Sequence, residues 1–363
     1  MTSRERYINC ALGRPIDRSP FLFYFGPWGE TLDVWRREGV PHPETAWYEG
    51  FGFDPFVIQT AGTVNTLYSP GYVPEVLEVR ENSVVERNTL GQIVERRRYG
   101  DTIPHIVRPP VTCLSDWKRI RDERLDPDDP SRFPANYSAI AASWMAADAP
   151  VQVGIYPWGL FGTLRDLMGV EECLFAFYDE PELVKEIMND LTDFWLALYG
   201  KICRTVRVDI FHIWEDMSGK QGSLISYDMV REFMLPQYRR IRDFCRLHDI
   251  PVIQVDTDGD CEGLIPVFHE AGINMMMPFE VTEGGGGDIV GMRAKYPYMA
   301  MQGGIDKCAL MRGHAEIDRE LLRVAPLIGK PGYFPALDHL IPPDVPFENY
   351  CYFVNRLKEM IFA

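Results

Sequence analysis

Short apolar runs alternate with longer amphipathic segments along most of the chain. The clearest run, residues 252–255, ends abruptly at Asp256-Thr257-Asp258-Gly259-Asp260. Runs of this kind are typical of buried strands, and the segments between them have the length and the capping residues of helices. The pattern predicts strands at 21–25, 56–59, 151–156, 208–214, 252–255, 273–279, 299–302 and 333–337.

Strands that alternate with helices indicate a parallel sheet. Eight parallel strands suit a closed (β/α)8 TIM barrel, whose chemistry lies at the C-terminal ends of the strands. An open, doubly wound sheet is the competing arrangement, but it is expected to carry a Gly-x-Gly-x-x-Gly turn after an early strand, and the sequence has none. We therefore predict an α/β protein with one TIM-barrel domain over residues 1–363.

Residues 76–107 depart from this pattern. Apolar and charged positions alternate there in three short runs, and Leu90-Gly91 forms a turn between the last two. The alternation predicts an antiparallel β-meander, inserted into the N-terminal half, with one charged and solvent-facing side. Residues 108–134 are rich in Pro and Asp and are predicted to be a connector.

Composition and charge narrow the classes of partner. The net charge of −16 disfavours nucleic acids and anionic membrane surfaces. No apolar run approaches the ~18 residues of a membrane span, and the N-terminus lacks the apolar core of a signal peptide. The eight cysteines are scattered without a Cys-x-x-Cys pair and are expected to be reduced. These features predict a cytoplasmic protein without nucleic-acid or membrane partners.

Polar side chains follow several predicted strands at the point where each strand ends. In a barrel these ends meet on one face, so the side chains are expected to converge there. Two carboxylates separated by one residue, as in Asp256 and Asp258, repel each other unless a cation, a shared proton or hydrogen-bond donors relieve them. We therefore interpret them as functional, as metal ligands or as an acid–base pair, in preference to a capping turn. The candidate residues are Glu215, Asp216, Asp256, Asp258, Glu280 and His339.

Aromatic residues also lie at two of these strand ends. Tyr24 and Trp28 accompany the first predicted strand, and Tyr156 and Trp158 accompany the third. They are candidates for a pocket wall that binds a cofactor, and core packing is the alternative. His212 lies within a predicted strand, where alternation alone allows it to face either side of the sheet.

Several motifs resemble those of the uroporphyrinogen decarboxylase superfamily. They are Arg4-Glu5-Arg6-Tyr7, residues 13–20, Gly303-Gly304-Ile305-Asp306 and residues 338–349. The resemblance runs over nearly the whole chain and implies a (β/α)8 barrel. It also implies one of two chemistries: cofactor-free removal of carboxyl groups from a tetrapyrrole, or zinc-dependent methyl transfer that involves a corrinoid protein.

The decarboxylase branch carries Met-Arg-Gln-Ala-Gly-Arg after its first strand, and these arginines hold substrate carboxylates. Residues 23–30 here read Phe-Tyr-Phe-Gly-Pro-Trp-Gly-Glu, without arginine. Burying several carboxylates without guanidinium partners is costly, so tetrapyrrole decarboxylation is not expected. The resemblance places residues 215–219 on the family's Glu-Ser-x-Ala-Gly loop, and His339 on the histidine of its Gly-His-x-x-x-Pro motif.

The methyltransferase branch carries His-x-Cys-Gly, which binds zinc together with a later cysteine. Asp256-Thr257-Asp258-Gly259 stands in that place, so carboxylates replace the matched ligands. The donors Asp256, Asp258, Glu280 and His339 suit zinc or a harder divalent ion. We therefore expect an enzyme that moves a methyl group from a small methylated substrate to a corrinoid protein. A divalent metal, zinc first, would act as Lewis acid.

Two alternatives stay open at this point. One is a cofactor-free decarboxylase or related lyase that acts on a smaller acid, with Asp256, Asp258 and His339 in proton transfer. The other is a ligand-binding or corrinoid-binding barrel without catalysis. A homodimer is compatible with the sequence, which identifies neither the methyl donor nor the oligomeric state.

Overall fold

The computed structural model describes residues 1–98, 104–281 and 287–363. Its strands are β1 (Ile58–Gln59), β2 (Glu75–Val79), β3 (Ser83–Arg87), β4 (Ile93–Arg97), β5 (His105–Arg108), β6 (Val151–Val153), β7 (Ile210–Trp214), β8 (Ser218–Gly219), β9 (Gly222–Ser223), β10 (Val252–Asp256), β11 (Met275–Phe279), β12 (Ala300–Ile305) and β13 (Tyr333–Leu337).

Helices fill most of the intervals between these strands. They are α1 (Ser3–Ala11), α2 (Gly29–Arg37), α3 (Pro43–Ala46), α4 (Leu114–Arg124), α5 (Tyr137–Ala146), α6 (Leu160–Met168), α7 (Val170–Asp179), α8 (Pro181–Cys203), α9 (Tyr227–Met229), α10 (Leu235–Leu247), α11 (Ile265–Ala271), α12 (Ile289–Lys295), α13 (His314–Val324) and α14 (Phe347–Phe362). Among the described residues, no helix combines the length and the apolar character that a bilayer span requires.

The main sheet is parallel and curled. Within the described residues it contains seven strands in the order β1-β6-β7-β10-β11-β12-β13, so spatial neighbours follow each other along the chain. Side chains from five successive strands meet in one buried cluster, which requires the sheet to curl around an interior. These side chains are Ile210, Val252, Met275, Ala300 and Phe334. The predicted α/β class and parallel sheet are therefore confirmed.

The closed eight-stranded barrel is not confirmed, because the predicted strand at 21–25 is not a strand in the structure. Its first residue, Phe21, exchanges hydrogen bonds with Asp54 instead of with a neighbouring strand. Pro27 makes only an isolated parallel bridge to Ile341. The described part of the sheet therefore ends at β1 on one side and at β13 on the other.

Helix α1 closes the N-terminal end of the interior. Thr2 and Glu5 form a capping box that starts the helix, and Tyr7 packs its ring 4.8 Å from that of Phe334. Arg4 pairs with the buried Asp209 at 2.9 Å. With this end filled, the C-terminal ends of the strands form the accessible face.

The predicted meander is confirmed and has one strand more than the three predicted runs. Strands β2, β3, β4 and β5 form an antiparallel sheet in that order, and β2 is exposed along its whole length. Residues 99–103 of the predicted meander lie outside the described part of the chain. The predicted connector 108–134 contains helix α4, because Trp117 and Ile120 bury an apolar face that the charged residues around them obscured.

Candidate active site

A layer of polar side chains lies inside the curled sheet. Ile210 and Val252 belong to the interior cluster, and side chains two positions apart on a strand share a face, so His212 and Gln254 point into the same interior. Gln302 follows Ala300 in the same way. All three side chains are buried, as is Gln152 on β6.

Several atoms of this layer have no partner. His212 Nδ1 lies 3.3 Å from Gln254 Oε1, and Gln152 Nε2 donates to the hydroxyl of Tyr24 at 3.2 Å. Within the described residues, the buried atoms left without a hydrogen bond include Gln152 Oε1, His212 Nε2, Gln254 Nε2 and both polar atoms of the Gln302 amide. Such atoms are costly when unpaired, so their concentration here indicates a site for a polar ligand.

Asp256 ends β10 beside this layer. Its Oδ2 lies 3.8 Å from His212 Nε2, and its side chain is 9% exposed. Burial raises the pKa of Asp256 well above its usual range, and the nearby carboxylates of Asp258 and Asp216 add to the effect. Burial also lowers the pKa of His212 to about 4. Burial therefore favours the protonated, uncharged form of Asp256 and the uncharged form of His212.

Asp258 and His339 form a pair at the mouth of the interior. Asp258 Oδ2 lies 3.5 Å from His339 Nε2. The rings of Phe25 and Trp28 approach the imidazole, with centroids at 5.0 Å and 6.4 Å. Burial by itself lowers the pKa of His339, but the hydrogen bond and the charge of Asp258 raise it by more, so the net shift is upward.

Glu280 belongs to a second ion pair at the mouth. Its Oε2 accepts a hydrogen bond from the amide of Gly259 at 2.9 Å. The ammonium of Lys307 lies 3.3 Å from Glu280 Oε1 and 3.3 Å from Asp338 Oδ2. Lys307 thus supplies a positive charge between two carboxylates that follow β11 and β13, the strands on either side of β12.

Asp216 and two of the predicted aromatic residues, Tyr156 and Trp158, lie outside the polar layer. Asp216 Oδ2 accepts from Arg165 at 2.6 Å. Tyr156, which is 55% exposed, packs against Trp214, with ring centroids 4.6 Å apart. Trp158 is buried in the outer core, 6.3 Å from the ring of Trp195. Tyr24 is the predicted aromatic residue that reaches the polar layer, where its ring stacks on His212 at 5.4 Å.

The side chain of Glu215 forms hydrogen bonds with the first residues of helix α6. Its carboxylate accepts from the amides of Leu160 at 3.1 Å and Phe161 at 2.7 Å, and from the hydroxyl of Tyr238 at 2.6 Å. Burial raises the pKa of Glu215 to about 7, although these donors oppose the shift. Its contacts are those of a helix anchor, while Asp216, Asp258 and Glu280 lie at the mouth and Asp256 lies beside the polar layer.

The predicted site residues did not include Gln152, Gln254, Gln302, Arg165 or Lys307. A usable signal was present for the glutamines, because each interrupts an otherwise apolar run: Val-Gln-Val, Val-Ile-Gln-Val and Ala-Met-Gln-Gly. An amide within a buried strand needs a partner and therefore marks the lining of a site. No comparable signal distinguishes Arg165 and Lys307 from other basic residues.

The predicted metal ligands do not fit a divalent ion in this arrangement. No three His, Cys, Asp or Glu side chains of residues 1–98, 104–281 and 287–363 are placed to hold one. Glu280 is paired with Lys307, and Asp258 is paired with His339, which leaves Asp256 as a single donor deeper inside. A divalent metal, zinc first, stays a prediction that metal analysis of the purified protein tests.

The pairing of Asp258 with His339 leads to a testable expectation. Replacing Asp258 with asparagine removes a negative charge, so we expect the pKa of the His339 imidazole to fall, as measured by NMR titration. In the wild type, a raised folded-state pKa adds stability below the unfolded value of about 6.5, and this stability is lost as the pH rises through the folded value.

Asp260→Asn is the matched control, because it removes a charge from the same loop, where Asp260 caps the amide of Glu262. It is expected to move the pKa of His339 less than Asp258→Asn does. An unchanged pKa of His339 in Asp258→Asn contradicts the pairing.

Comparison with known proteins identifies the family to which this chain belongs. Residues 82–360 match the family model described as "Uroporphyrinogen decarboxylase (URO-D)". The "Uroporphyrinogen decarboxylase" of Trichlorobacter lovleyi is 30% identical over 98% of each chain, and that of Geobacter metallireducens is 28% identical over 98% of each chain.

Among solved structures, a "methyltransferase from Methanosarcina mazei" matches 100% of both chains with a TM-score of 0.60. Its sequence identity is 15%, so this likeness concerns the fold. The family match spans well over half of the chain, including β7 and β10–β13, whose ends carry the site. This chain belongs to the uroporphyrinogen decarboxylase family.

Proposed function

We propose that this enzyme transfers a methyl group from a small, uncharged methylated substrate to a corrinoid carried by a separate protein. The observation that carries the proposal is the polar layer, where unpartnered atoms of His212, Gln254 and Gln302 lie next to the buried carboxyl group of Asp256, whose pKa is raised. Such a layer binds a neutral molecule that both donates and accepts hydrogen bonds.

The positions of the buried arginines favour this substrate class over a polycarboxylate. Arg4 and Arg6 pair with aspartates at the N-terminal end of the interior. Arg132 donates to the backbone carbonyls of Asn65, Leu67, Arg124 and Asp126. Guanidinium groups are the usual partners of buried carboxylates, and these three are already engaged elsewhere.

In this proposal Asp256 provides the proton for the leaving group. The bond between the methyl carbon and its heteroatom breaks, and the electron pair stays with the heteroatom. That atom then takes the proton of Asp256, so an alcohol leaves in place of an alkoxide anion. A reduced corrinoid on the docked partner protein would supply the electron pair for the new bond to the methyl carbon.

His212 would position this proton. Gln254 Oε1 is an acceptor, so it favours the hydrogen of His212 on Nδ1 and leaves Nε2 as an acceptor. Nε2 and Asp256 are 3.8 Å apart, which is too long for a direct hydrogen bond. The proton of Asp256 is therefore available to a substrate atom that reaches both groups.

A methyl-transfer assay tests the proposal. The purified enzyme is incubated with free reduced cobalamin and a panel of small, uncharged methyl ethers that also carry a hydroxyl or amide group, and the cobalamin spectrum is followed. We expect saturable, enzyme-dependent loss of the reduced form together with appearance of the demethylated product. Release of carbon dioxide from small acids without methyl transfer would overturn the proposal.

The second candidate is decarboxylation of a smaller carboxylic acid. The names of the curated relatives favour it, and so does the Asp258–His339 pair at the mouth. The carbon–carbon bond would break with its electron pair left on the substrate carbon, and a protonated group such as Asp256 would deliver the proton. Release of labelled carbon dioxide from a panel of small acids measures this activity directly.

Uroporphyrinogen itself is expected not to be a substrate. The segment 23–30 carries no arginine, so several tetrapyrrole carboxylates would enter without guanidinium partners. We expect no carboxyl loss from uroporphyrinogen under conditions in which the Trichlorobacter lovleyi relative, as a positive control, is assayed in parallel. Turnover at a rate near that of an active control would contradict this prediction.

A further inference from the structure

A cavity lies where an eighth strand would close the sheet. In a closed barrel, residues 21–25 would pair with β1. Instead, residues of both segments line a cavity of about 300 Å³, which we call the seam cavity. Tyr24 lines it from one side, and Phe56, Val57 and Gln59 line it from the other.

Aromatic rings dominate the wall of the seam cavity. Trp47 and Tyr48 join Phe56 there. The rings of Trp47 and Tyr48 meet edge to face at 5.0 Å and 80°, and those of Tyr48 and Phe56 at 5.7 Å and 89°. Rings set at right angles present both faces and edges, which favours a further ring in offset or edge-to-face contact.

Of the described residues, none with a charged side chain lines the seam cavity. The polar side chains among its lining residues are uncharged, namely those of Tyr24, Tyr48 and the exposed Gln59. A volume of about 300 Å³ is at the lower end of the range for small-molecule pockets and is too small for a helix or a strand of a partner.

We propose that the seam cavity binds a planar aromatic or heteroaromatic ring without net charge that carries one hydrogen-bonding group. The ring would contact Tyr24, whose own ring stacks on His212 at 5.4 Å and whose hydroxyl accepts from Gln152 at 3.2 Å. Binding of a ring in the cavity is therefore expected to change the surroundings of the His212 imidazole through Tyr24. The proposal does not depend on methyl transfer, because Asp256 does not line the cavity.

Binding of phenol, with cyclohexanol as the non-planar comparison, tests this site by isothermal titration calorimetry. Val57→Phe fills the cavity, and Val76→Phe adds the same ring on the exposed strand β2, where Val76 is 57% exposed. We expect the wild type and Val76→Phe to bind phenol with the same Kd. Val57→Phe should bind at least about tenfold more weakly, which is a difference that calorimetry resolves.

A second variant keeps the test decisive if Val57→Phe does not fold. Gln59→Trp blocks the cavity from its exposed side and is expected to weaken phenol binding in the same way. In the wild type, phenol should also shift the imidazole NMR signals of His212, and cyclohexanol should shift them less. Equal phenol binding by all folded variants overturns the proposal, as does equal binding of cyclohexanol or no saturation below about 10 mM.

Discussion

Replacing Asp256 with asparagine is expected to lower turnover about 100- to 10,000-fold, which is the usual contribution of a general acid. Asparagine keeps the shape of the side chain but has no acidic proton for a leaving heteroatom. The measurement is kcat and kcat/KM for the substrate found in the methyl-transfer assay. Asp260→Asn, in the same loop, is the matched control and should retain most of the wild-type turnover.

The pH dependence of Asp256→Asn separates an acid role from a structural one. The acid form of Asp256 is the active one in our proposal, so wild-type kcat should fall as the pH rises through its raised pKa. The asparagine variant should lack this decrease. Retention of most of the wild-type turnover in Asp256→Asn would contradict the role of Asp256 as the acid.

Stability should change in the opposite direction from activity in this variant. The folded-state pKa of Asp256 is raised, so the folded protein holds this proton more tightly than the unfolded chain does. The carboxyl group therefore costs stability as the pH rises above its unfolded value of about 3.9 toward the folded value. Asp256→Asn carries no such cost, and its free energy of unfolding at pH 8 should equal or exceed that of the wild type.

Glu215→Ala is expected to have the largest effect on stability, a loss of about 3–5 kcal/mol. The fully buried carboxylate accepts from Leu160, Phe161 and Tyr238, and truncation leaves these donors without partners in a dry environment. The measurement is urea denaturation followed by circular dichroism. Asp216→Ala is the neighbouring control, because Asp216 lies at the partly exposed mouth and pairs with Arg165.

Glu215→Gln tests the charge of this anchor separately from its shape. Burial raises the pKa of Glu215 to about 7, so the wild type should lose stability between about pH 4.3 and pH 7, where the unfolded chain has released this proton and the folded chain has not. The glutamine variant should lack this part of the pH dependence. A loss of stability below about 1 kcal/mol in Glu215→Ala would contradict the anchoring role, since even one unpaired buried donor costs about that much.

The seam cavity and the incomplete barrel both arise because residues 21–25 do not pair with β1 as a strand. Residues 21–25 have the apolar, aromatic composition of a strand, and the strand prediction rested on that composition. Pairing also requires a neighbouring strand at the right distance, whereas here residues of both segments line the seam cavity together with Trp47 and Tyr48. Composition reports the burial of a segment and does not report its hydrogen-bond partner.

Local pattern alone determined the parallel strands, the antiparallel meander and the acidic residues at the ends of β7, β10 and β11. Each of these depends on residues close together in the chain, through alternation, turn residues or the end of an apolar run. The resemblance added the family, which the comparisons confirm. The absence of arginine in residues 23–30 is likewise a property of the sequence.

Only the tertiary structure decided which face each strand turns inward and how deeply each acid is buried. His212 could face either side of β7 until the sheet curled, and its position beside Asp256 follows from the pairing of β7 with β10. Glu215 and Asp216 are adjacent in sequence, yet one anchors α6 while the other pairs with Arg165 at the mouth. Desolvation and hydrogen bonding depend on residues that are distant in the chain. The raised pKa of Asp256 and the anchoring by Glu215 are therefore properties of the folded protein.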